Sequence, residues 1–416
     1  MNFRNTLALV SAAAVLQLQP AHADDPEIAA LREQLAALSA RIDAVEASNQ
    51  ALKAENKALR QASETQAEAI EAVQSGSKSG ESWSDRISIK GDLRTRFESI
   101  DEQGRDRRNR DRIRARASII AEVNEQLEVG LGLASGSDDP VSTNQTLGSG
   151  GSTKGLNLDL AYLKWKTANG MTIHGGKFKN HLYKAGSHAL LWDGDWTPEG
   201  VGISWKRDAL FFNAIGTWLE SDSRKESEFS YGIQGGFSHE LGDDVTLTAG
   251  AGYYQFDTAG KGTFFGDDDD FFGNTPDASG SRYLYDYEEL ELFAELDFPL
   301  AGRGATIFAN YVQNQDAPTQ DTGYAFGFKL GSAKQPGEWQ LGWTYQDLEA
   351  DAVYGLLTDS DFAGGGTGGK GHILKGGYAI ARNVNANLTW FMTERFSGTP
   401  SERDYDRLQV DLAIKY

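Results

Sequence analysis

From residue 85 to the C-terminus, apolar side chains recur at every second position. At the end of the chain Leu408, Val410, Leu412, Ile414 and Tyr416 share one face of an extended strand, and Arg407, Gln409, Asp411 and Lys415 share the other. A period of two places one side of a strand against an apolar medium and the other against water. The same alternation runs through Ile113, Ala115, Ala117 and Ile119, through Leu127, Val129, Leu131 and Leu133, through Tyr324, Phe326, Phe328 and Leu330, and through Trp339, Leu341, Trp343 and Tyr345. Between them stand Ala325, Gly327 and Lys329, or Gln340, Gly342, Thr344 and Gln346, so the polar face predicts a wet interior.

About sixteen such segments follow one another, and the connections between them alternate in length. Short ones lie at Asn124-Glu125-Gln126, Ala168-Asn169-Gly170, Arg207-Asp208-Ala209 and Ala381-Arg382-Asn383, and at 240–243, 299–302 and 333–337. Long ones fall at 135–155, 179–199, 257–286 and 349–370. A soluble β-sandwich has shorter strands and no odd-even difference among its loops. The pattern predicts an all-β transmembrane barrel of about 16 antiparallel strands over 85–416, with periplasmic turns, extracellular loops and both chain ends in the periplasm. The terminal strand, ending at Tyr416, is the segment a barrel-assembly machinery would engage.

The spacing differs ahead of residue 85. Residues 1–23 carry a basic start at Arg4, an apolar stretch from Leu7 to Leu16 and a small-residue site at Ala21-His22-Ala23, the pattern of a secretory signal peptide. Over 24–74 the spacing becomes 3-4, with Ile28, Leu31, Leu35, Leu38, Ile42, Val45, Asn49, Leu52, Asn56 and Leu59 on one stripe. That is a heptad, and the two asparagines at a positions set register and oligomer number in an α-helical coiled coil. At 1.5 Å per residue the coil would extend about 75 Å into the periplasm. Residues 75–84, rich in Ser and Gly, form a linker.

Composition narrows the reading. With no Cys there are no thiolate metal sites, and scattered histidines without a chelating spacing predict no metal and no cofactor. A formal net charge of -20 argues against nucleic-acid or anionic-lipid affinity and fits acidic loops on a cell surface, while outer-membrane lipid and lipopolysaccharide are the expected surroundings of the barrel. The mean hydropathy of -0.48 is compatible with a barrel, since only alternate residues meet lipid.

The charges gather on particular strands. Outward Leu93 and Phe97 turn Asp92, Arg94, Arg96 and Glu98 inward, and the next strand turns Arg112, Arg114 and Arg116 inward. On the tenth strand Leu290, Leu292 and Leu296 face out and Glu289, Glu291, Glu295 and Asp297 face in. Strands two and ten of a sixteen-strand cylinder stand across the lumen, so a basic wall would oppose an acidic one and filter solutes by charge. Local pairing of these charges is the equally weighted alternative.

Several stretches together resemble the bacterial putative porin family with an N-terminal coiled coil and, more distantly, the phosphate-selective porins. They are Asp92 to Phe97, Arg112 to Arg116, Asp159-Leu160-Ala161-Tyr162-Leu163, Gly176-Lys177-Phe178, Leu191-Trp192-Asp193-Gly194-Asp195, and Thr358 to Phe362 followed by Gly364-Gly365-Gly366-Thr367. The chain departs from that pattern at Lys179-Asn180-His181. The resemblance implies a homotrimeric outer-membrane porin for passive diffusion of small hydrophilic solutes or ions. By analogy with sixteen-strand porins, the third long loop, with Trp192, Asp193 and Asp195, would fold inward as the constriction. An apolar Leu190-Leu191-Trp192 run also argues against a loop lying wholly in water. Two other readings are an envelope tether joining the barrel to the cell wall through the coil, and a barrel hydrolase. Ser187 and His188 are adjacent and would point to opposite faces of a strand, which weighs against an enzyme.

Overall fold

The structure is a computed structural model. It describes residues 83–416 and, before them, Val45, Ser48, Gln50, Leu52, Lys53, Ala54, Lys57 and Arg60, all helical. The chain divides into two units at Ser82 and Trp83. Of the heptad positions, Val45 and Leu52 are helical with exposed side chains. Ile28, Leu31, Leu35, Leu38, Ile42, Asn49, Asn56 and Leu59 lie outside the described residues, as does the signal segment.

In the second unit a short 3-10 turn, Trp83–Arg86, leads into sixteen long strands. They are β1 Ile87–Glu102, β2 Arg108–Glu122, β3 Leu127–Ser135, β4 Leu156–Lys166, β5 Met171–Lys177, β6 Glu199–Arg207, β7 Leu210–Glu220 and β8 Glu228–Gly242. The second half comprises β9 Val245–Phe256, β10 Tyr287–Leu300, β11 Arg303–Asn314, β12 Thr322–Gly331, β13 Trp339–Leu348, β14 Gly369–Ala381, β15 Val384–Arg395 and β16 Arg403–Lys415. Each pairs antiparallel with its sequence neighbours, and β1 pairs with β16 from Asp92 opposite Lys415 to Glu102 opposite Tyr405. The sheet therefore closes and leaves no free edge. A two-residue strand, Gln145–Thr146, continues the sheet beside β2 where β3 has ended.

The alternation read from the sequence is the burial pattern of the strands. Leu93, Phe97, Leu131, Leu290, Leu292, Phe326, Leu341, Val410 and Leu412 are exposed on the outer surface. Their neighbours Arg96, Glu98, Glu289, Glu291, Ala325, Gln346, Arg407 and Gln409 are buried inside. Short turns join the strands at the rim holding both ends of the barrel, and eight outer loops join them at the other.

The interior is not uniformly wet. The third outer loop (178–198), the fifth (257–286) and the seventh (349–368) turn into the cylinder. Leu190, Leu191, Trp192, Phe271, Tyr283, Val353, Tyr354, Leu356 and Leu357 from these loops form one apolar cluster with Ile215, Tyr254, Phe256, Tyr287, Val312, Ala325 and Leu348 of the wall. A dry core thus fills the lumen beside β7 and β9 to β13, correcting the expectation of a hydrated interior there. The reason is non-local: apolar residues on loops distant in sequence bury one another only once the barrel closes. The glycine run ahead of Thr367 has its use here. Gly364, Gly365 and Gly366 all have φ near +90°, and a Cβ at Gly366 would collide with the Phe272 carbonyl of the fifth loop.

Candidate functional site

The remaining lumen, beside β16 and β1 to β4, is lined by charge, and at β14 and β15 a smaller apolar cluster of Ile373 and Phe391 with Phe362 and Ala363 of the seventh loop adjoins it. Antiparallel register sets Arg94 opposite Arg114 and Arg96 opposite Arg112, so the arginines of β1 and β2 stack across one ladder, as their parity required. Like charges at such spacing repel unless anions lie between them. Asp92 supplies one, accepting hydrogen bonds from Arg114 at 2.8 Å and Arg116 at 2.8 Å. Asp411 on β16 supplies another, forming a two-pronged pair with Arg96 at 2.7 and 2.9 Å. Glu98 pairs with Arg110. Arg94 donates to the Asn144 side chain of the second outer loop, and Arg112 donates to the Asn144 carbonyl at 3.5 Å and lies 3.9 Å from Glu98.

Two loop carboxylates complete the ladder. Asp195 of the third loop lies 3.0 Å from Arg116 and 3.5 Å from Arg114, and also accepts the Thr143 hydroxyl at 3.0 Å. Asp361 of the seventh loop lies 3.0 Å from Arg96 and 2.5 Å from Arg407. The basic wall is therefore a set of clamps that hold two of the three infolded loops, the third and the seventh. Burial pushes the Asp361 carboxyl up, but the guanidiniums of Arg407 and Arg96 outweigh it and hold the carboxyl well below its usual range.

The two loops are also joined to each other. The Asp193 N–H donates to the Leu357 carbonyl at 2.8 Å, and the Ser360 N–H donates back to the Asp193 carboxylate at 3.0 Å. The Thr358 hydroxyl donates to the Leu190 carbonyl at 2.8 Å. Trp192 stacks on Trp196 at 4.9 Å and meets Tyr254 edge-on. Burial, with Asp359 and Asp195 close by, pushes the Asp193 carboxyl well above its usual range. Asp193 and Trp192 thus lie within the packed junction, and Asp195 is the member of that segment facing the arginines.

The acidic residues of β10 do turn inward, but each is occupied. Glu289 accepts the Tyr354 N–H of the seventh loop at 2.7 Å. Glu291 accepts from Tyr254 at 2.7 Å, Asn310 at 2.9 Å and Gln234 at 3.2 Å. Glu295 accepts the Gly186 N–H of the third loop, and Asp297 accepts the Thr306 hydroxyl at 2.6 Å. Glu289 and Glu291, each 1% exposed, are covered by the dry core and do not face the arginines across open water. At the hydrolase candidate, His188 bonds to Gln346 at 2.6 Å.

Sequence reading assigned no role to Asp361, Arg407 or Asp411. The inward parity of the last two was visible. Asp361 lay within the Thr358 to Phe362 stretch, but nothing local reveals that this loop returns to β1.

A closed sixteen-strand barrel with an apolar exterior, inturned loops and a charged inner wall is the architecture of a porin. A family-wide sequence profile described as "Putative porin" matches residues 101–263 and 285–416, more than half of the chain, and the protein belongs to that family. Among solved structures, Pseudomonas putida OprB superposes with a TM-score of 0.55 at 12% identity, covering 80% of this chain and 95% of the other. A Rhodopseudomonas blastica porin gives a TM-score of 0.45 at 13% identity, with 79% and 100% coverage. A loop L8 deletion mutant of OmpT, an outer membrane protein of Vibrio cholerae, gives 0.46 at 13% identity, with 79% and 99% coverage. The OprB likeness concerns the fold alone. No curated protein matches the chain in sequence.

Proposed function

We propose that this protein is an outer-membrane porin through which small hydrophilic solutes or ions diffuse passively, along the charged half of the lumen. The carrying observation is the division of that lumen: a dry core blocks one half, while charged and amide side chains line the other. Arg94, Arg96, Arg112, Arg114 and Arg116, with Asp195 facing them, set the field a solute meets. Glu289, Glu291, Glu295 and Asp297 act one step removed, by holding the loops that narrow the passage.

We also assign the working form as a homotrimer, with residues 1–23 removed on export and the coil of residues 24–74 joining three chains. Support comes from the wall itself. β5 has seven residues, which at the usual rise and tilt reach only ~18 Å along the barrel axis, short of the ~25 Å apolar band of a membrane. A neighbouring copy at this low wall would keep lipid from the gap.

Single-channel recording in a planar bilayer tests the reading. Conductance closing in three equal steps is the expected result. Silence from correctly folded, heat-modifiable protein would contradict it.

A further inference from the structure

Above the clamps, at the outer rim, β1, β2, β15 and β16 enclose a cavity of about 410 Å³. Its lining holds six arginines against four carboxylates, Glu102, Asp106, Asp139 and Asp361. The arginines are not equally engaged. Arg407 and Arg110 are closed on Asp361 and Glu98. Arg112 lies 3.9 Å from Glu98, and its buried Nε has no hydrogen-bond partner. Arg395 stands 3.8 Å from Glu102. Arg108, exposed at the start of β2, forms no ion pair among the described residues.

Three guanidiniums therefore face one cavity with donors to spare. A guanidinium carries five N–H groups and never deprotonates, so withdrawing it from water without close acceptors is unfavourable until an anion or water supplies them. The same wall displays the complement such groups take, since Arg96 grips the planar Asp411 carboxylate with two parallel bonds. The cavity is large enough for a small solute.

Resting on the porin reading, we infer that the outer mouth is a binding site for small organic carboxylates, captured by Arg108, Arg112 and Arg395 before they pass the clamped ladder. The anion would arrive from the outer rim, where Arg108 meets it first, and settle between Arg112 and Arg395.

Equilibrium binding of succinate to the detergent-solubilised full chain is the test, with inorganic phosphate run in parallel and conductance recorded on the same preparation. Succinate should bind and reduce the single-channel current. Arg112→Gln with Arg395→Gln should weaken binding about a hundredfold or more, a loss in keeping with two charge-assisted contacts. Arg108→Ala, at an exposed position where folding is not at stake, should weaken it about threefold, less than one such contact. Arg207→Ala, at the end of β6 on the opposite rim, should leave binding unchanged. No succinate binding to the wild-type protein, phosphate binding in its place, or equal affinity in Arg108→Ala would overturn the inference. Protein that conducts without binding succinate defeats this inference alone. Protein that binds succinate yet never conducts supports the site and defeats the porin reading.

Discussion

The two halves of the lumen start from the same strand alternation and end in opposite environments. Beside β9 to β13 the inward positions carry Tyr254, Phe256, Tyr287, Val312 and Ala325, and the third, fifth and seventh loops fold onto them to make a dry core. Beside β16, β1 and β2 the inward positions carry arginines and carboxylates, and the same third and seventh loops meet them through Asp195 and Asp361. Each loop thus has an apolar side buried in one half and an acidic side clamped to the other. The lesson is that inward parity does not decide whether a barrel position is wet. What returns to cover it does.

Substitutions can separate the halves. The largest stability effect is expected in the dry half, where Trp192→Ala should cost ~3–5 kcal/mol, since it deletes a buried aromatic stacked on Trp196 and packed edge-on against Tyr254. The temperature at which the barrel loses its compact electrophoretic mobility should fall, while the reversal potential in a KCl gradient stays near the wild-type value. Equal loss of selectivity would show that the halves are not separate.

Arg114→Ala with Arg116→Ala should do the reverse. Asp92 and Asp195 would be left without their cations, and the reversal potential should move toward cation selectivity. The loss of stability should be smaller than for Trp192→Ala, because Arg116 keeps partial access to solvent. An unchanged reversal potential would remove these arginines from the path of the ions.

The smallest effect is that of pH on the loop junction. Burial raises Asp193 in the folded protein, so the folded state holds a proton that the unfolded chain, with its carboxyl near 3.9, gives up. Stability from this group rises as pH falls through the raised value. Asp361 is depressed, so its contribution is present above the unfolded value and is lost only in stronger acid. Thermal resistance should therefore be higher at pH 5 than at pH 8, and Asp193→Asn should flatten the difference. An equally steep dependence in that variant would contradict the assignment.

Much of this architecture was legible in the chain. The alternation of Leu93 and Phe97 with Arg94 and Arg96 gave the facing of β1, and the odd-even loop lengths gave the order of turns and loops. Both are local properties of a strand, and burial follows them. The fate of Glu289 was not legible, because its covering partner, Tyr354, lies 65 positions away on a loop whose inward turn depends on barrel closure. The Leu190-Leu191-Trp192 run pointed to one infolded loop. The equally apolar Val353-Tyr354-Gly355-Leu356-Leu357 run carried the same signal for the seventh and went unread. Asp411 and Arg407 were placed on the correct face, yet the pairing of Arg407 with Asp361, and of Asp411 with the Arg96 that also holds Asp361, needed the closed sheet that brings β16 beside β1.

The absence of cysteine from the chain allows the central claim, passage along the charged half, to be tested directly. Thr389→Cys puts a lone thiol on the inward face of β15, between Lys375 and Gln409. Ala325→Cys puts one in the dry core. A charged methanethiosulfonate reagent added during bilayer recording should cut the current of Thr389→Cys and leave that of Ala325→Cys unaltered. Block at Ala325→Cys with none at Thr389→Cys would contradict the account.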